Sequence, residues 1–439
     1  MSLDSGCLIV ENLSSIKGGV MPERETLLDR FCRYVRIDTQ SSDKSSSYPS
    51  TEGQKDLLRT LVADLQAAGL SDAVMDEHGY VIATLPSNIP AGHPAHGKVP
   101  TIGLLAHVDT YHEVSGKDVT PVVHRNYDGG DLALPGDPSI VLRASEEPEL
   151  AACRGLTIVT SDGTTLLGAD DKAGVSEILE VLWRLREDPS RLHGPVRVGF
   201  TPDEEVGRGT LHFDVKRFAA DYAYTVDGSG LGAIEAESFC ADSAHVIVTG
   251  VDVHPGYAKG KMTNAVRVMS ELVLALPRNR TPETTEGREG YLHPINMAGN
   301  VSEVRAHFLV RDYTEQGLHE LEDVLRRAAA DVERRYPGAR IAISIDVSYR
   351  NMKYAIDKEP KVVQYAEEAI RRSGLTPKHE SIRRGTDGAR LSYMGLLTPN
   401  LFDGSMNFHG KKEWVPLEWM DKAVETVLHL LEVWVERSC

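Results

Sequence analysis

A chain of 439 residues is longer than one compact core usually grows, so two domains are expected. Hydrophobic content of 41% and charged content of 26% are ordinary for a globular protein. The formal net charge of -17 argues against nucleic acid, whose phosphates need a basic footprint, and against anionic membrane surfaces. No apolar run approaches the roughly 20 residues needed to span a bilayer. The cysteines at 7, 32, 153, 240 and 439 are scattered and form no C-x-x-C or Cys/His cluster. They read as free thiols in a reducing compartment, so a cytoplasmic location is expected.

Met1 to Val20 has one short apolar patch and no basic start, a poor signal peptide. The amphipathic segment after Met21, PERETLLDRFCRYVR, is where the first domain is expected to begin, with residues 1–20 as an extension. A polar stretch follows. Thr51, with Gln54 three residues on, then suggests a capping box opening a second helix. Strands are expected at Tyr80–Leu85 and Thr101–Ala106, then a long Gly/Pro/Asp-rich connection from Ser115 to about Arg154 that is either a functional loop or hides short strands. LLGADDKAGVSEILEVLWRL, from Leu166, reads as strand, turn and helix; Val196–Thr201 and Tyr222–Val226 read as further strands. Alternation of this kind indicates an α/β domain with a mixed, largely parallel sheet.

The texture changes near Phe239. An antiparallel-looking strand, AHVIVTGVDV, precedes a helix at Asn264–Leu276, a polar loop to about Gly299, a strand at Val304–Val310, a helix at Thr314–Arg335 and the strand ARIAISIDVSY. Such a segment makes a small antiparallel sheet with two helices. After Asn351 come a helix at Val362–Arg372, a strand at Asn400–Phe402 and a final helix from Leu417. The expected organisation is an α/β catalytic domain of residues 21–238 and 352–439, interrupted by an α+β insertion at 239–351.

The candidate chemistry sits where polar segments follow predicted strands, and α/β sheets bind ligands at their strand carboxyl ends. His107 and Asp109 in HVDT are two apart and can point the same way, which would let the carboxylate orient a metal-binding ring; a satisfied surface histidine is the bland alternative. The pair Asp170-Asp171 could offer a bridging metal carboxylate or merely favour a helix N-terminus. Three consecutive acids, Asp203 to Glu205, could divide between metal binding and base catalysis, although an acidic turn is usually solvated surface. Asp227 could close a plain Asp-Gly turn. His409, between Phe408 and Gly410, could be an ordinary loop residue. Gly228, Gly230 and Ala233 match a dinucleotide-binding fingerprint, but IEAESFCADSAHVIV beyond them reads as strand, leaving no helix N-terminus for a pyrophosphate.

The ordered set STEGQ (50–54), HVDT (107–110), DGTTLLGADDKAG (162–174), FTPDEEVGRG (200–209), YTVDG (224–228), VHPGYAKG (253–260), VRDY (310–313), GTDGARLSYMGL (385–396) and NFHGK (407–411) resembles the peptidase T family. That family is the aminotripeptidase branch of the co-catalytic zinc peptidases related to glutamate carboxypeptidase. The resemblance covers nearly everything from Met21 onward. It implies two divalent ions, zinc first with cobalt or manganese as alternatives, one held by His107, Asp170 and Asp227 and the other by Asp170, Glu205 and His409. It implies Glu204 as general base, Asp109 as the group that orients His107, and a cis peptide between the paired aspartates. It further implies that 239–351 is a lid, supplying His254, Arg311 and Asn296 to the substrate, with Arg383 near the terminal-group pocket and a possible homodimer through the lid.

The implied reaction is release of the N-terminal residue from tripeptides with a free amino terminus. The alternatives are a carboxypeptidase, dipeptidase or N-acyl amidohydrolase on the same fold. Departures from the family pattern occur at Tyr111, His112 and Glu113, at Arg384 in place of glycine, and at Asp403, Ser405 and Met406. They are expected to touch no proposed ligand and to bear on substrate preference alone.

Overall fold

The computed structural model describes residues 24–439, so the expected extension at 1–20 lies outside the described residues. Its main sheet has eight strands in the order Val74–Met75, Val81–Leu85, Val196–Thr201, Ile102–His107, Tyr222–Gly228, Asn400–Phe402, Ala233–Ser238 and Lys378–Ile382. The four strands from Val196–Thr201 to Asn400–Phe402 run parallel to one another; Val81–Leu85 and Ala233–Ser238 flank them antiparallel, and Lys378–Ile382 pairs parallel with the latter. All six residues of Ile102–His107 are buried, as a central parallel strand covered on both faces requires. Ile102, Leu104 and Ala106 join the larger core under the helices Leu27–Val35, Ala169–Glu187 and Leu417–Glu436. Leu105, one residue out of phase, packs with Phe213, Phe218, Leu391 and Leu396 on the other face.

Close approach of one helix to this sheet sets the site. A Cβ added at Gly174 would run into the Val226 carbonyl oxygen and the Asp171 carboxylate, so only glycine lets the first regular turn of the helix lie against Tyr222–Gly228. Gly174→Ala is therefore expected to cost about 1–3 kcal/mol through overpacking. Thermal unfolding should report that loss, and the displaced helix start should also retain bound metal poorly.

Residues between Cys240 and Tyr349 build a second sheet, antiparallel throughout, in the order Tyr291–Gly299, Glu303–Asp312, Cys240–Thr249 and Arg340–Tyr349. The helices Ala265–Ala275 and Glu315–Arg335 cover one face, enclosing a separate core of residues such as Val246, Phe308, Leu318 and Leu325. The polar loop expected up to Gly299 is shorter than its sequence suggested. Tyr291–Gly299 is a strand whose outer half is exposed, because it lies at the sheet edge and needs no apolar alternation there. The chain leaves and re-enters the main body side by side, where the Asn351 carboxamide accepts from Ser238 N and donates to the Tyr313 carbonyl.

Two local expectations are corrected, and one that was left open is decided. The helix after Thr51 is Gly53–Ala67 and has no side-chain cap; Thr51 instead donates to the Gln40 carbonyl. The long connection does hide structure, with strands at Val122–His124, Leu132–Leu134 and Asp137–Leu142. Leu166–Gly168 is not a strand, since the Leu167 and Gly168 amides are drawn instead to the carboxylate of Glu413.

Candidate metal centre

Three parallel strands deliver their carboxyl ends to one point. Ile102–His107 ends on His107, Val196–Thr201 runs into the acidic loop 203–205, and Tyr222–Gly228 carries Asp227. Asn400–Phe402, beside them, leads into the loop holding His409. The paired aspartates come from elsewhere, at the start of the helix Ala169–Glu187, where both have non-helical backbone and a cis peptide joins them.

Two groups of ligand atoms form there: His107, Asp170 and Asp227, and Asp170, Glu205 and His409. Asp170 faces both ways, with Oδ1 2.9 Å from His107 Nε2 and Oδ2 3.1 Å from His409 Nε2. Asp227 Oδ1 lies 3.6 Å from His107 Nε2. Glu205 Oε1 lies 2.8 Å from His409 Nε2, yet among the described residues this buried oxygen accepts no well-aligned hydrogen bond. Carboxylates and imidazoles crowded on common points, one of them orphaned, are the donor set that divalent cations of the zinc, cobalt or manganese kind satisfy. The residues fit two such ions sharing Asp170.

The electrostatics follow from this crowding. Burial disfavours the charged form of His107, but Asp109, Asp170 and Asp227 outweigh it and hold the imidazole pKa well above its usual value. The same opposition, from Asp170 and Glu205, pushes His409 up to about 10. Burial raises the Glu204 carboxyl well above the ordinary range; His107 and Arg384 oppose that shift while Asp227 and Asp387 add to it. Glu204 thus sits at the cluster as a buried carboxyl whose neutral form is favoured by its burial.

The surrounding contacts explain several sequence motifs. Asp109, fully buried, accepts from the amides of Glu204 at 2.9 Å and Glu205 at 3.1 Å, so its carboxylate fixes the acidic loop. Its contact to the His107 ring runs chiefly through its carbonyl, 3.0 Å from Nδ1, with the carboxylate at 3.5 Å. Asp203 accepts from Ser50 N, Ser50 Oγ and Gln54 Nε2, which is what STEGQ does for PDEE. Asp171 accepts from His107 N and Gly174 N, so its oxygens are already engaged.

Glu413 was missed in the sequence. Its buried carboxylate takes the amides of Leu167, Gly168 and Asp170 at 2.7–3.0 Å and so shapes the turn that presents Asp170. The available signal was an acid placed directly before the buried strand Trp414–Pro416.

The remaining predicted residues do not join the cluster. His254 is exposed and caps a short helical turn by accepting from Gly256 N. Asn296 is exposed on the edge strand of the second sheet. Arg311 donates to the carbonyls of Asp242 and Val310 within that sheet. Arg383 donates to the carbonyls of Gly287 and Glu289 and lies over the Phe239 ring, tying the second sheet's loops to the main body.

Two departures from the family pattern do reach proposed ligands, contrary to expectation. Arg384 Nη2 lies 3.5 Å from Asp227 Oδ1, with its guanidinium over the Phe408 ring. Tyr111 stacks on His409, rings 4.3 Å apart and 3° from parallel. Both contacts join segments distant in sequence, which motif comparison cannot register.

Fold and site together define a hydrolase of the two-cation peptidase class. The sequence pattern of peptidase family M20/M25/M40 matches residues 162–433, and the chain belongs to that family. Within it, the relatives are peptidase T proteins. The chain is 45% identical over 415 residues to peptidase T of Geobacillus thermodenitrificans, covering 94% of this chain and 100% of the relative. It is 44% identical over 407 residues to that of Bacillus subtilis, covering 93% and 98%. Among solved structures, an aminopeptidase PepT of Bacillus cereus superposes with a TM-score of 0.71 at 22% identity, covering 93% of this chain and 98% of that one. A dinuclear metal-binding peptidase of Bacillus subtilis gives 0.61 at 14% identity, covering 93% and 97%.

Proposed function

We propose that the protein is a metallo-aminopeptidase that releases the N-terminal residue of tripeptides. The observation that carries the reading is Asp170, one oxygen toward each of two histidine-carboxylate groups, with Glu204 buried alongside. His107, Asp170 and Asp227 would hold one ion, zinc in the first instance, and Asp170, Glu205 and His409 the other. When bound, such a pair supplies Lewis-acid chemistry, acidifying water and polarising the attacked carbonyl.

The chain's own residues do the rest. Glu204 accepts the proton of the attacking water and returns it to the departing amine. Asp109 holds the backbone of Glu204 and Glu205 rigid, so base and neighbouring ligand keep a fixed relation. Residues 21–238 and 352–439 would form the catalytic domain, with 239–351 as a lid bringing His254, Asn296 and Arg311 to the peptide and Arg383 bracing it. Lid closure would exclude water and measure substrate length. Pairing of two copies through the lid belongs to the same reading, supported by Ile295 and Met297 exposed on its edge strand. A reducing, cytoplasmic setting suits the free buried thiols of Cys32, Cys153 and Cys240. No helix among the described residues is long and apolar enough to cross a membrane.

The test compares a tripeptide with the corresponding dipeptide and N-acetylated tripeptide, before and after chelation. The tripeptide should be cut at its first bond, the acetylated peptide should resist, and chelation should abolish turnover until metal is restored. Preference for the acylated substrate would favour the amidohydrolase or carboxypeptidase alternative.

A further inference from the structure

His409 differs from the other proposed ligands in how it is held. Its side chain is 27% exposed, against 1–4% for His107, Asp170, Glu205 and Asp227. Its backbone is left-handed, with φ of 65°, and Asn407 two residues earlier has φ of 54°. Conformations of this kind are costly for residues with a Cβ and persist only where the surroundings enforce them. A metal-binding histidine normally donates its second ring nitrogen to a carbonyl or carboxylate, which fixes the plane of the ring. His107 does so through Asp109. His409 does not: among the described residues nothing bonds its Nδ1, and the only side chain lying flat on its ring is Tyr111.

Tyr111 is itself firmly placed. Its hydroxyl donates to Glu113 Oε2 at 2.8 Å. The Gln40 carboxamide donates toward the carbonyls of Tyr111, His112 and Val114 at 2.9–3.3 Å, clamping the loop just after HVDT. Gln40 is anchored in turn by its bridge to Thr110 and by the Thr51 hydroxyl on its carbonyl. A chain of contacts therefore runs from Thr51, just before the helix Gly53–Ala67, to the face of the His409 imidazole.

We propose that Tyr111 is a positioning residue for His409, its stacked ring fixing the imidazole plane that a second hydrogen bond fixes for His107. This rests on His409 being a ligand of the second cation. Stacked aromatic pairs also contribute beyond their buried area, so the aromatic ring rather than the phenol is the working part.

The test titrates the chelator-stripped full chain with cobalt(II), following the visible absorption of the bound ion and competing against a chromophoric chelator. Tyr111→Ala and Tyr111→Leu should weaken the second equivalent by roughly 10–100-fold, the range for losing an outer partner of a ligand, and leave the first unchanged. Tyr111→Phe, which keeps the ring, should titrate like the wild type. His409→Ala should lose the second equivalent altogether. Thermal melting checks that each variant is folded, and the leucine variant replaces the alanine one if the latter is not. Wild-type binding by the folded alanine or leucine variant, with the second equivalent lost in His409→Ala, would overturn the positioning role alone. Equal weakening in Tyr111→Phe would shift the role to the Glu113 bond and also overturn it. Retention of the second equivalent by His409→Ala would instead bring down the ligand reading and this proposal with it.

Discussion

Glu204→Gln is expected to keep its fold and both bound ions while losing between about 10²- and 10⁴-fold in kcat, the range for removing a general base. The side chain is buried, and among the described residues its carboxylate makes no hydrogen bond to protein. It shares a small cavity with His107, Thr201, Asp227 and Asp387. Glutamine has the same shape, so nothing should collapse. What disappears is the capacity to accept a proton at a buried carboxylate of the cluster that is assigned to no ion. Metal content and steady-state kinetics on a tripeptide measure the two halves of this expectation separately. Unchanged kcat in a metal-replete variant would remove Glu204 from the chemistry.

Asp170→Asn should be the more damaging change. Both carboxylate oxygens are in use, at 2.9 and 3.1 Å from the two histidines. A carboxamide offers one oxygen and an NH₂ group, so one of the two ions must face a donor instead of an acceptor. The affinity loss should exceed the roughly 10–100-fold typical of an outer partner, and activity should fall below that of Glu204→Gln. Asp171→Asn makes the contrast. Its oxygens hold the amides of His107 and Gly174, so its loss should appear as lowered stability, with the ion count preserved. Metal analysis after dialysis, paired with thermal melting, distinguishes the two aspartates.

The legible part of the sequence was the part governed by periodicity. Ile102–His107 and Val196–Thr201 are nearly continuous apolar runs because both faces of a parallel strand are covered, and their ends announce His107 and the acidic loop. Spacing alone left Asp170 and Asp171 as equal candidates, since adjacent carboxylates look alike until their directions are known; only the family resemblance singled out Asp170 as the shared ligand. The supports were not legible. Glu413 acts on amides some 245 residues earlier. Ser50 and Gln54 hold Asp203 from about 150 residues away. The contacts of Tyr111 and Arg384 likewise depend on loops that only the fold brings together. A motif records which residues recur, whereas these roles depend on which backbone groups lie within reach.

The ion count at equilibrium tests the central claim most directly. Stripped enzyme dialysed against zinc and assayed on a tripeptide should take up two ions per chain, with full activity reached only at the second equivalent. Saturation at one ion, or full activity in the stripped enzyme, would contradict a centre built around Asp170 as a shared ligand.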